Sequence, residues 1–315
     1  MSQPTYTMLT VADAEEILGE SVAAVDEIKG GWANSNFKVT TKRGALVLLK
    51  VSNEKPAEEL RTQIAVLEAL RPSGFPAAYP HSPPLRNWNG LPVLVFDFVV
   101  GTSPDRLATA AQARAMGDAL ARLHATSVPS GVQLPNFAMG IAEMTPFLAA
   151  VDAGQGAEGA VAAHPFVSRL RAMMPHFEAL EADESLPVGL AHGDLFADNS
   201  IFDADEPDRL LAIVDWEEIC LVPHMLDLAM TVLGCCPPGD EAMRSAMMDA
   251  YAARRPLTDA EQARGFPIFL AYAAMSIAFW RFRQFNVRHA DDAALREHYR
   301  PMLDIAEQAL AQWTQ

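Results

Sequence analysis

The sequence predicts an α+β protein in which a small strand-rich N-terminal lobe precedes a larger helical C-terminal lobe. Within the first hundred residues, apolar and β-branched runs are separated by glycine-containing turns, a pattern typical of an antiparallel sheet. After about residue 104 the apolar residues recur with helical spacing instead. A chain of 315 residues is long enough for both lobes. We therefore predict a bilobal chain with an N-terminal domain over residues 1–100 and a C-terminal domain over residues 101–315.

The N-terminal lobe should begin with a strand, a turn and a second strand within Val22–Leu49, where Gly30-Gly31 interrupts the apolar pattern. A helix is predicted from about Pro56–Leu70. Proline suits a first helical turn, acidic residues complement the helix N-terminus, and apolar residues follow at i, i+4 and i+7. The nearly continuous apolar run Leu91–Val100 predicts a buried strand, after which the domain boundary falls.

The C-terminal lobe should consist mainly of helices, because its apolar residues recur every three to four positions. The stretch 152–163 is rich in glycine and alanine, so we expect a loose surface connection there. Leu210–Val214 is expected to be a short strand. The predicted helices are Ala108–His124, Met225–Cys235, Asp240–Arg254, Phe266–Phe285 and Asp292–Trp313.

Composition and charge limit the function classes. Half of the residues are hydrophobic and 20% are charged, as expected for a packed globular protein. A formal net charge of −16 argues against binding to nucleic acid or an anionic membrane, because both need a basic surface. No apolar run approaches the roughly 18–20 residues of a membrane span, and the first sixteen residues contain no basic residue, unlike a secretory signal. We expect a cytoplasmic protein, and its oligomeric state stays open.

The three cysteines, Cys220, Cys235 and Cys236, have neither the number of a disulfide framework nor the spacing of a zinc site. Cys235-Cys236 follows an apolar run, so we expect buried structural thiols.

The most informative stretch is His192–Ile201, followed by Ile213–Trp216. It places Asp194 five residues before Asn199, and Asp215 follows after a short apolar run. Phosphoryl transfer from Mg-ATP needs a carboxylate that receives the proton of the attacking hydroxyl. It also needs an amide oxygen and a second carboxylate that hold magnesium on the phosphates. Because both motifs occur in the right order and separation, they favour this chemistry over ordinary turn capping.

This spacing resembles the catalytic and metal-binding loops of the aminoglycoside phosphotransferase and choline kinase superfamily, small-molecule kinases with a protein-kinase-like fold. The opening His-Gly-Asp, instead of the His-Arg-Asp of protein kinases, indicates the small-molecule branch. The resemblance implies a bilobal kinase-like fold that uses ATP and magnesium. It implies that Asp194 is the catalytic base, that Asn199 and Asp215 bind magnesium, and that His192 holds the catalytic loop.

Further roles follow from the same resemblance. Asp227, in the segment Leu226-Asp227-Leu228-Ala229, matches the family's "DLA" motif, in which the carboxylate braces the catalytic loop by accepting hydrogen bonds. Lys50 ends the predicted strand Leu46–Leu49, where the family has its phosphate-binding lysine. A glutamate on the following helix would orient that lysine, and Glu59 is the candidate. The position also aligns with Gln63, one helical turn later, so the assignment stays open.

The segment Gly30–Phe37 occupies the place of a phosphate-covering loop, in which backbone N–H groups of Gly31, Asn34 and Ser35 would contact phosphate. An ordinary hairpin turn is the alternative, because the segment matches no complete glycine-rich motif. Phe96 and Phe98 belong to the stretch that would be the hinge, whose backbone binds adenine in the family.

Several segments resemble type II homoserine kinases, a subgroup of the superfamily. These segments are "ANSNFKVTT" (Ala33–Thr41), "AEEL" (Ala57–Leu60), "AHGDLFADN" (Ala191–Asn199) and "RPLTDAE" (Arg255–Glu261). The resemblance fails after Asp215, where Asp-Trp-Glu-Glu is more similar to other aminoglycoside phosphotransferase-like proteins.

Three acceptors remain open at this point. Homoserine carries a carboxylate that suits an arginine, and Arg281, Arg283 and Arg288 are candidates. Choline or ethanolamine would need an aromatic cage, for which Trp216, Phe279 and Trp280 are available, and an aminoglycoside would need carboxylates such as Glu217 and Glu218. We predict an ATP- and magnesium-dependent kinase of a small hydroxyl compound, first a homoserine-like amino alcohol, second an aminoglycoside or amino sugar, and third choline or ethanolamine. A nucleotide-binding pseudokinase module is the alternative from a different class.

Overall fold

The computed structural model describes residues 7–29, 34–289 and 293–314. The chain forms two compact units. The first unit contains Met1–Ser103, Val128–Gln133 and Ser200–Glu217. The second unit contains Pro104–Ser127, Leu134–Asn199 and Glu218–Gln315. Two stretches from later in the sequence therefore join the N-terminal part of the chain, a grouping that the sequence patterns did not indicate.

Strands predominate among the elements before residue 103, and helices predominate after it. The elements up to residue 103 are α1 (Val11–Leu18), β1 (Val22–Ile28), β2 (Asn34–Thr41), β3 (Leu46–Ser52), α2 (Ala57–Leu70), β4 (Pro80–Trp88) and β5 (Leu91–Asp97). Next come α3 (Ala110–His124), α4 (Ile141–Asp152), α5 (Gly156–Gly159), α6 (Pro165–Glu181), β6 (Val188–Ala191), β7 (Ser200–Phe202), β8 (Leu210–Ile213) and β9 (Cys220–Pro223). The chain continues with α7 (His224–Cys235), α8 (Glu241–Arg254), α9 (Asp259–Arg264), α10 (Phe266–Phe282) and α11 (Arg300–Trp313).

The first unit is built on a five-stranded sheet in the order β1-β2-β3-β5-β4, in which every neighbouring pair is antiparallel. Its apolar core lies between one sheet face and α1, which contributes Ala14 and Ile17. Leu49 of β3 is in this core. Successive side chains of a strand point to opposite faces, so Lys50 lies on the other face of the central strand. The predicted α+β fold with an N-terminal antiparallel sheet is confirmed.

The second unit is mainly helical. α3 packs against α8, and α10 packs against α7 and α11. α10 is apolar almost throughout and buried on most of its circumference, so it forms the centre of this unit. At its end, the ring of Phe282 stacks on that of Phe166 at 4.2 Å. The strands β6 and β9 pair antiparallel, and β9 leads directly into α7.

Several element boundaries differ from the predictions. The predicted strand Leu91–Val100 ends at Asp97, and Val100 is 66% exposed because the chain there leaves the sheet. The predicted helix Phe266–Phe285 ends at Phe282 and continues as a π-helical stretch, Arg283–Arg288. The last predicted helix begins at Arg300, where Pro301 suits its first turn; Asp292, its predicted start, is outside the described residues.

The loose connection expected over 152–163 contains the short helix α5. All three cysteines are free and buried, as expected. Among the described residues, none of the helices is both long and apolar enough to cross a membrane.

Candidate active site

The predicted catalytic loop, residues 192–199, lies in the second unit and follows β6. His192 is fully buried, and its Nδ1 accepts a hydrogen bond from the backbone N–H of Asp194 at 3.4 Å. Gly193 has a φ of 81°, in the left-handed region that favours glycine. A Cβ atom there would also lie 2.2 Å from the carbonyl oxygen of Glu218. The loop can therefore follow this path only with glycine before Asp194.

Asp227, in the first turn of α7, holds this loop. Its Oδ2 accepts a hydrogen bond from the backbone N–H of His192, and its Oδ1 accepts one from Gly193, both at 3.0 Å. Asp227 is only 1% exposed. A buried carboxylate is tolerated when charge-assisted hydrogen bonds surround it, and these two also fix the backbone on either side of the loop's turn. These are the contacts that the sequence comparison with the "DLA" motif implied.

A second layer of side chains surrounds Asp227. His124 of α3 contacts Asp227 Oδ2 through Nε2 at 3.0 Å, and its Nδ1 lies 2.7 Å from the hydroxyl of Tyr251 on α8. Burial by itself would raise the pKa of Asp227, but hydrogen bonds and charge from His124 and His192 hold that pKa below its ordinary value. The carboxylate therefore stays ionised at neutral pH. No sequence signal marked His124, because a histidine in an amphipathic helix resembles any core residue.

His224 completes this layer by stacking its ring on His124 at a centroid distance of 4.3 Å. Burial, followed by the charges of His124 and Arg255, lowers the pKa of His224 to about 3. Neither of its ring nitrogens has a hydrogen-bond partner among the described residues. Gly189 of β6 makes room for this ring, since a Cβ atom there would lie 2.4 Å from His224 Nε2.

Asn199 ends the catalytic loop close to Asp194. Its Nδ2 donates to the backbone carbonyl of Asp194 at 2.8 Å and lies 3.5 Å from the Asp194 carboxylate. Since the amide nitrogen is directed at the loop, the amide oxygen remains as an acceptor. This orientation fits an oxygen ligand for magnesium, which binds carboxylate and amide oxygens.

A cluster of charged residues in the first unit surrounds Lys50. Lys50 is 6% exposed, and its Nζ lies 2.7 Å from Asp215 Oδ1 and also forms an ion pair with Glu217. Burial alone would lower the pKa of Lys50, but the two carboxylates outweigh it and raise that pKa above the ordinary value. The lysine is therefore charged and held away from bulk water. Asp215 follows β8 with a φ of 61°, a conformation that non-glycine residues rarely adopt.

The helix α2 does not supply the expected partner for Lys50. Glu59 is exposed, and no ion pair joins it to Lys50 within the described part of the chain. Gln63 is buried, and the part of the chain that the structure describes offers no hydrogen-bond partner to its Oε1. Glu217, whose sequence position suggested only a contact with an aminoglycoside acceptor, lies beside Lys50.

The expected phosphate-loop and hinge residues are distributed over the sheet. Asn34 begins β2, and its Nδ2 donates to Glu217 Oε1. The Ser35 hydroxyl accepts hydrogen bonds from the backbone N–H of Thr7 at 2.9 Å and from Asn53 Nδ2 at 3.3 Å. Phe96 is buried in β5, while Phe98 is partly exposed beyond the end of that strand. Gly31 lies outside the described residues.

The candidate substrate residues fall into three different environments. Trp216 is 1% exposed, and its indole N–H donates to the Ile213 carbonyl at 3.1 Å, a position that suits packing rather than substrate contact. Arg283 forms an ion pair with Glu143 at 2.6 Å. Arg281 lines a cavity of about 200 Å³ within the second unit. The other lining residues are Asp105, Arg106, Phe196, Asp198, Leu233, Gly234, Ile277 and Met302.

This cavity adjoins the catalytic loop, because Phe196 and Asp198 lie between Asp194 and Asn199 in the sequence. Arg106 is fixed at its wall, where Nη1 donates to the carbonyls of Leu233 at 2.7 Å and Gly234 at 3.1 Å. Burial, together with the positive charge of Arg106, lowers the pKa of Arg281. Arg106 and Asp198, which also line this cavity, were not predicted from the sequence, since a single charged residue in a loop carries no distinctive pattern.

Comparison with known proteins defines the class of this protein. The chain belongs to the phosphotransferase enzyme family, whose model matches residues 24–266. It is an enzyme, a small-molecule kinase that transfers a phosphoryl group to a hydroxyl group. The expected superfamily and kinase-like fold are thereby confirmed.

Individual relatives extend the comparison over nearly the whole chain. The homoserine kinase of Methylobacillus flagellatus is 30% identical over 309 residues, which cover 91% of this chain and 90% of the relative. A crystal structure of spectinomycin phosphotransferase, in complex with ADP and spectinomycin, covers 95% of this chain and 97% of its own with a TM-score of 0.71 and 13% identity. The structure of a microcompartment-associated aminopropanol kinase covers 96% and 98%, with a TM-score of 0.68 and 16% identity. The two structural similarities show the fold.

Proposed function

We propose that this protein phosphorylates the side-chain hydroxyl of a small α-amino acid of the homoserine type, with ATP as the phosphoryl donor. The observation that carries the proposal is the similarity to a homoserine kinase over 91% of the chain at 30% identity. The catalytic loop supports it, because Asp194 has the Gly193 turn and the Asp227 brace that hold a catalytic carboxylate in place.

In the proposed reaction, Asp194 takes up the proton that the acceptor hydroxyl loses when it is phosphorylated. Asp227 and His192 keep the backbone of the loop in position and do not contact the acceptor. Lys50 holds phosphate oxygens of the nucleotide, for which its charge suits it. The residues of this chain thus bind, orient and accept a proton, without a covalent enzyme intermediate.

We propose that Asn199 and Asp215 bind magnesium. Asn199 directs its amide nitrogen at the loop and keeps its oxygen as a donor to a metal, and Asp215 has a carboxylate that is about half exposed at 46%. This set of hard oxygen donors fits magnesium. When bound, the ion supplies neutralisation of the charge on the phosphates.

The cavity of the second unit supports an amino-acid acceptor. Arg106 and Arg281 suit a carboxylate, because guanidinium groups bind carboxylates through paired hydrogen bonds. Asp198 offers a carboxylate to an ammonium group. The volume of about 200 Å³ is sufficient for a small amino acid.

The test is release of ADP by the purified full chain with magnesium and ATP. Homoserine should be turned over, whereas ethanolamine, choline and kanamycin should give rates near the background without acceptor. Turnover of the amines in the absence of any activity with homoserine would contradict the amino-acid assignment. Failure of all hydroxyl compounds, together with failure to bind ATP, would contradict the kinase mechanism itself.

A further inference from the structure

The partner that orients Lys50 comes from an unexpected part of the chain. A buried ammonium group requires counter-charges, and Lys50 has Asp215 at 2.7 Å and Glu217 in direct contact. Asp215 is the proposed magnesium ligand, so its charge is shared once the metal binds. Glu217 is then the carboxylate that remains dedicated to Lys50.

Within the described residues, the carboxylates of α2 form no ion pair with Lys50. Glu59 points to the exposed side of the helix, and Gln63, one turn later, is buried but carries no charge. An uncharged amide cannot neutralise an ammonium group in a buried site. The expected neighbour of Lys50 was Glu59 or, one helical turn later, Gln63. Within the described residues, Glu217 lies beside Lys50 instead and supplies a negative charge there.

Glu217 is itself firmly held. Its side chain is only 11% exposed and accepts a hydrogen bond from Asn34 Nδ2 on β2. Its backbone carbonyl accepts a hydrogen bond from Lys55 Nζ at 2.5 Å. The preceding residue, Trp216, is anchored in the interior by its indole hydrogen bond. A carboxylate fixed at backbone and side chain can fix the position of the lysine that it contacts.

We propose that Glu217 is the positioning residue that aims Lys50 at the nucleotide phosphates, with Asn34 holding Glu217 in place. The Asn34 side chain then affects the nucleotide only indirectly, because it holds Glu217, and Glu217 in turn positions Lys50. Glu217 belongs to nucleotide binding and makes no contact with the acceptor. This inference rests on the proposed use of ATP.

The experiment measures binding of a non-hydrolysable ATP analogue with magnesium by calorimetry, without any acceptor, and then steady-state kinetics. Glu217→Gln keeps the shape of the side chain but removes the charge. It should weaken nucleotide binding and raise KM for ATP by tenfold or more, while KM for the acceptor changes less than twofold. Glu58→Gln is the matched control, an exposed carboxylate on α2, and should bind nucleotide like wild type.

A double variant separates positioning from stability. If Glu217→Gln leaves Lys50 with too little counter-charge to fold, Lys50→Met with Glu217→Gln removes both buried partners and should restore the fold. Because Glu217 acts through Lys50, the double variant should bind nucleotide as weakly as Lys50→Met alone. A further loss beyond Lys50→Met would overturn the proposal.

Other outcomes distinguish this inference from the function on which it rests. Wild-type nucleotide binding together with unchanged binding by Glu217→Gln would overturn only the role of Glu217. So would a larger loss for Glu59→Gln than for Glu217→Gln, or a rise in KM that is confined to the acceptor. Absence of nucleotide binding by the wild type would overturn the proposed function first.

Discussion

Gly193 combines two constraints in one residue of the catalytic loop. Its φ of 81° strains any other residue, and its Cα faces the Glu218 carbonyl, which a Cβ atom would approach to 2.2 Å. Gly193→Ala should therefore destabilise the protein by about 2–4 kcal/mol and reduce activity, since strain and overpacking add. Chemical denaturation and ADP release measure the two effects.

The control for this variant is Gly239→Ala in the same unit. Gly239 has a φ of 79°, and among the described residues beyond its two chain neighbours no heavy atom lies within 4 Å of an added Cβ. The Gly239→Ala variant therefore measures backbone strain alone, which should lower the free energy of unfolding by about 1 kcal/mol. Equal destabilisation of the two variants would mean that the Glu218 contact is relieved without cost.

Asp194→Asn keeps the size of the side chain but removes its ability to accept a proton. We expect kcat to fall by about 10²–10⁴-fold, the range of general-base catalysis, with nucleotide affinity nearly unchanged. Single-turnover kinetics and nucleotide titration test this. Loss of nucleotide affinity with a preserved kcat would assign Asp194 to the nucleotide site instead.

Arg281→Lys tests the acceptor cavity. An ammonium group cannot reproduce the paired hydrogen bonds of a guanidinium group, so KM for homoserine should rise by the equivalent of about 1–3 kcal/mol. KM for ATP should hardly change. Arg288→Lys, at an exposed arginine of the π-helical stretch, is the control and should leave both values near wild type. A similar effect of both variants would contradict a specific contact by Arg281.

At the scale of elements, three helices determine the shape of the catalytic loop. α7 supplies Asp227, α3 supplies His124 behind it, and α8 supplies Tyr251 behind His124. The loop itself has few residues, so its geometry depends on this buried polar layer. Such a layer is costly if one member is removed, because its partners stay buried without hydrogen bonds.

His224, stacked on this layer, makes the stability of the second unit sensitive to acid. Its folded pKa of about 3 lies below the unfolded value of about 6.5, so between these pH values the unfolded chain binds more protons. Stability should therefore fall as pH falls, by about 2 kcal/mol between pH 7 and pH 5. His224→Phe keeps a stacked ring and should lose less stability over this range. Denaturation at the two pH values measures the difference, and parallel losses in both proteins would contradict a neutral buried His224.

At the scale of the whole molecule, nucleotide and magnesium should stabilise the folded chain by mass action. A concentration of 100 times Kd corresponds to about 2.7 kcal/mol, a rise of several degrees in Tm, which EDTA should reduce. Asp215→Asn should abolish turnover and most of the magnesium-dependent part of this rise. The protein without ligand should melt below the wild-type temperature, because Lys50 loses one of its two buried counter-charges. Thermal scans with and without EDTA test it. Retained turnover by this variant would rule out Asp215 as a metal ligand.

The net charge of −16 opposes the binding of ATP, because ATP is also an anion. Local cations must therefore bind it. Lys50 is buried among carboxylates, which keeps it charged and directed. The overall charge of the chain therefore says little about its ligand, whereas the local arrangement of charges does.

The sequence by itself determined the class of this protein. The His192–Ile201 motif and Asp215 are recognised by their spacing along the chain, which the sequence shows without the tertiary structure. The periodicity of apolar residues likewise predicted the antiparallel sheet and most of the helices, because burial of one face imposes it. Boundaries such as Asp97 and Phe282 were missed, since tertiary contacts decide where an element ends.

The tertiary structure alone decided which distant residues meet. Glu217 contacts Lys50 across 167 positions of the sequence, while Glu59, only nine positions from Lys50, faces away. His124 reaches Asp227, and Arg106 shares a cavity with Arg281. Contacts of this kind depend on strand direction, helix packing and burial over the whole unit. A residue's neighbours in sequence carry little information about such contacts. The chemistry and the Asp227 brace could therefore be predicted, whereas His124 behind Asp227 and Glu217 beside Lys50 could not.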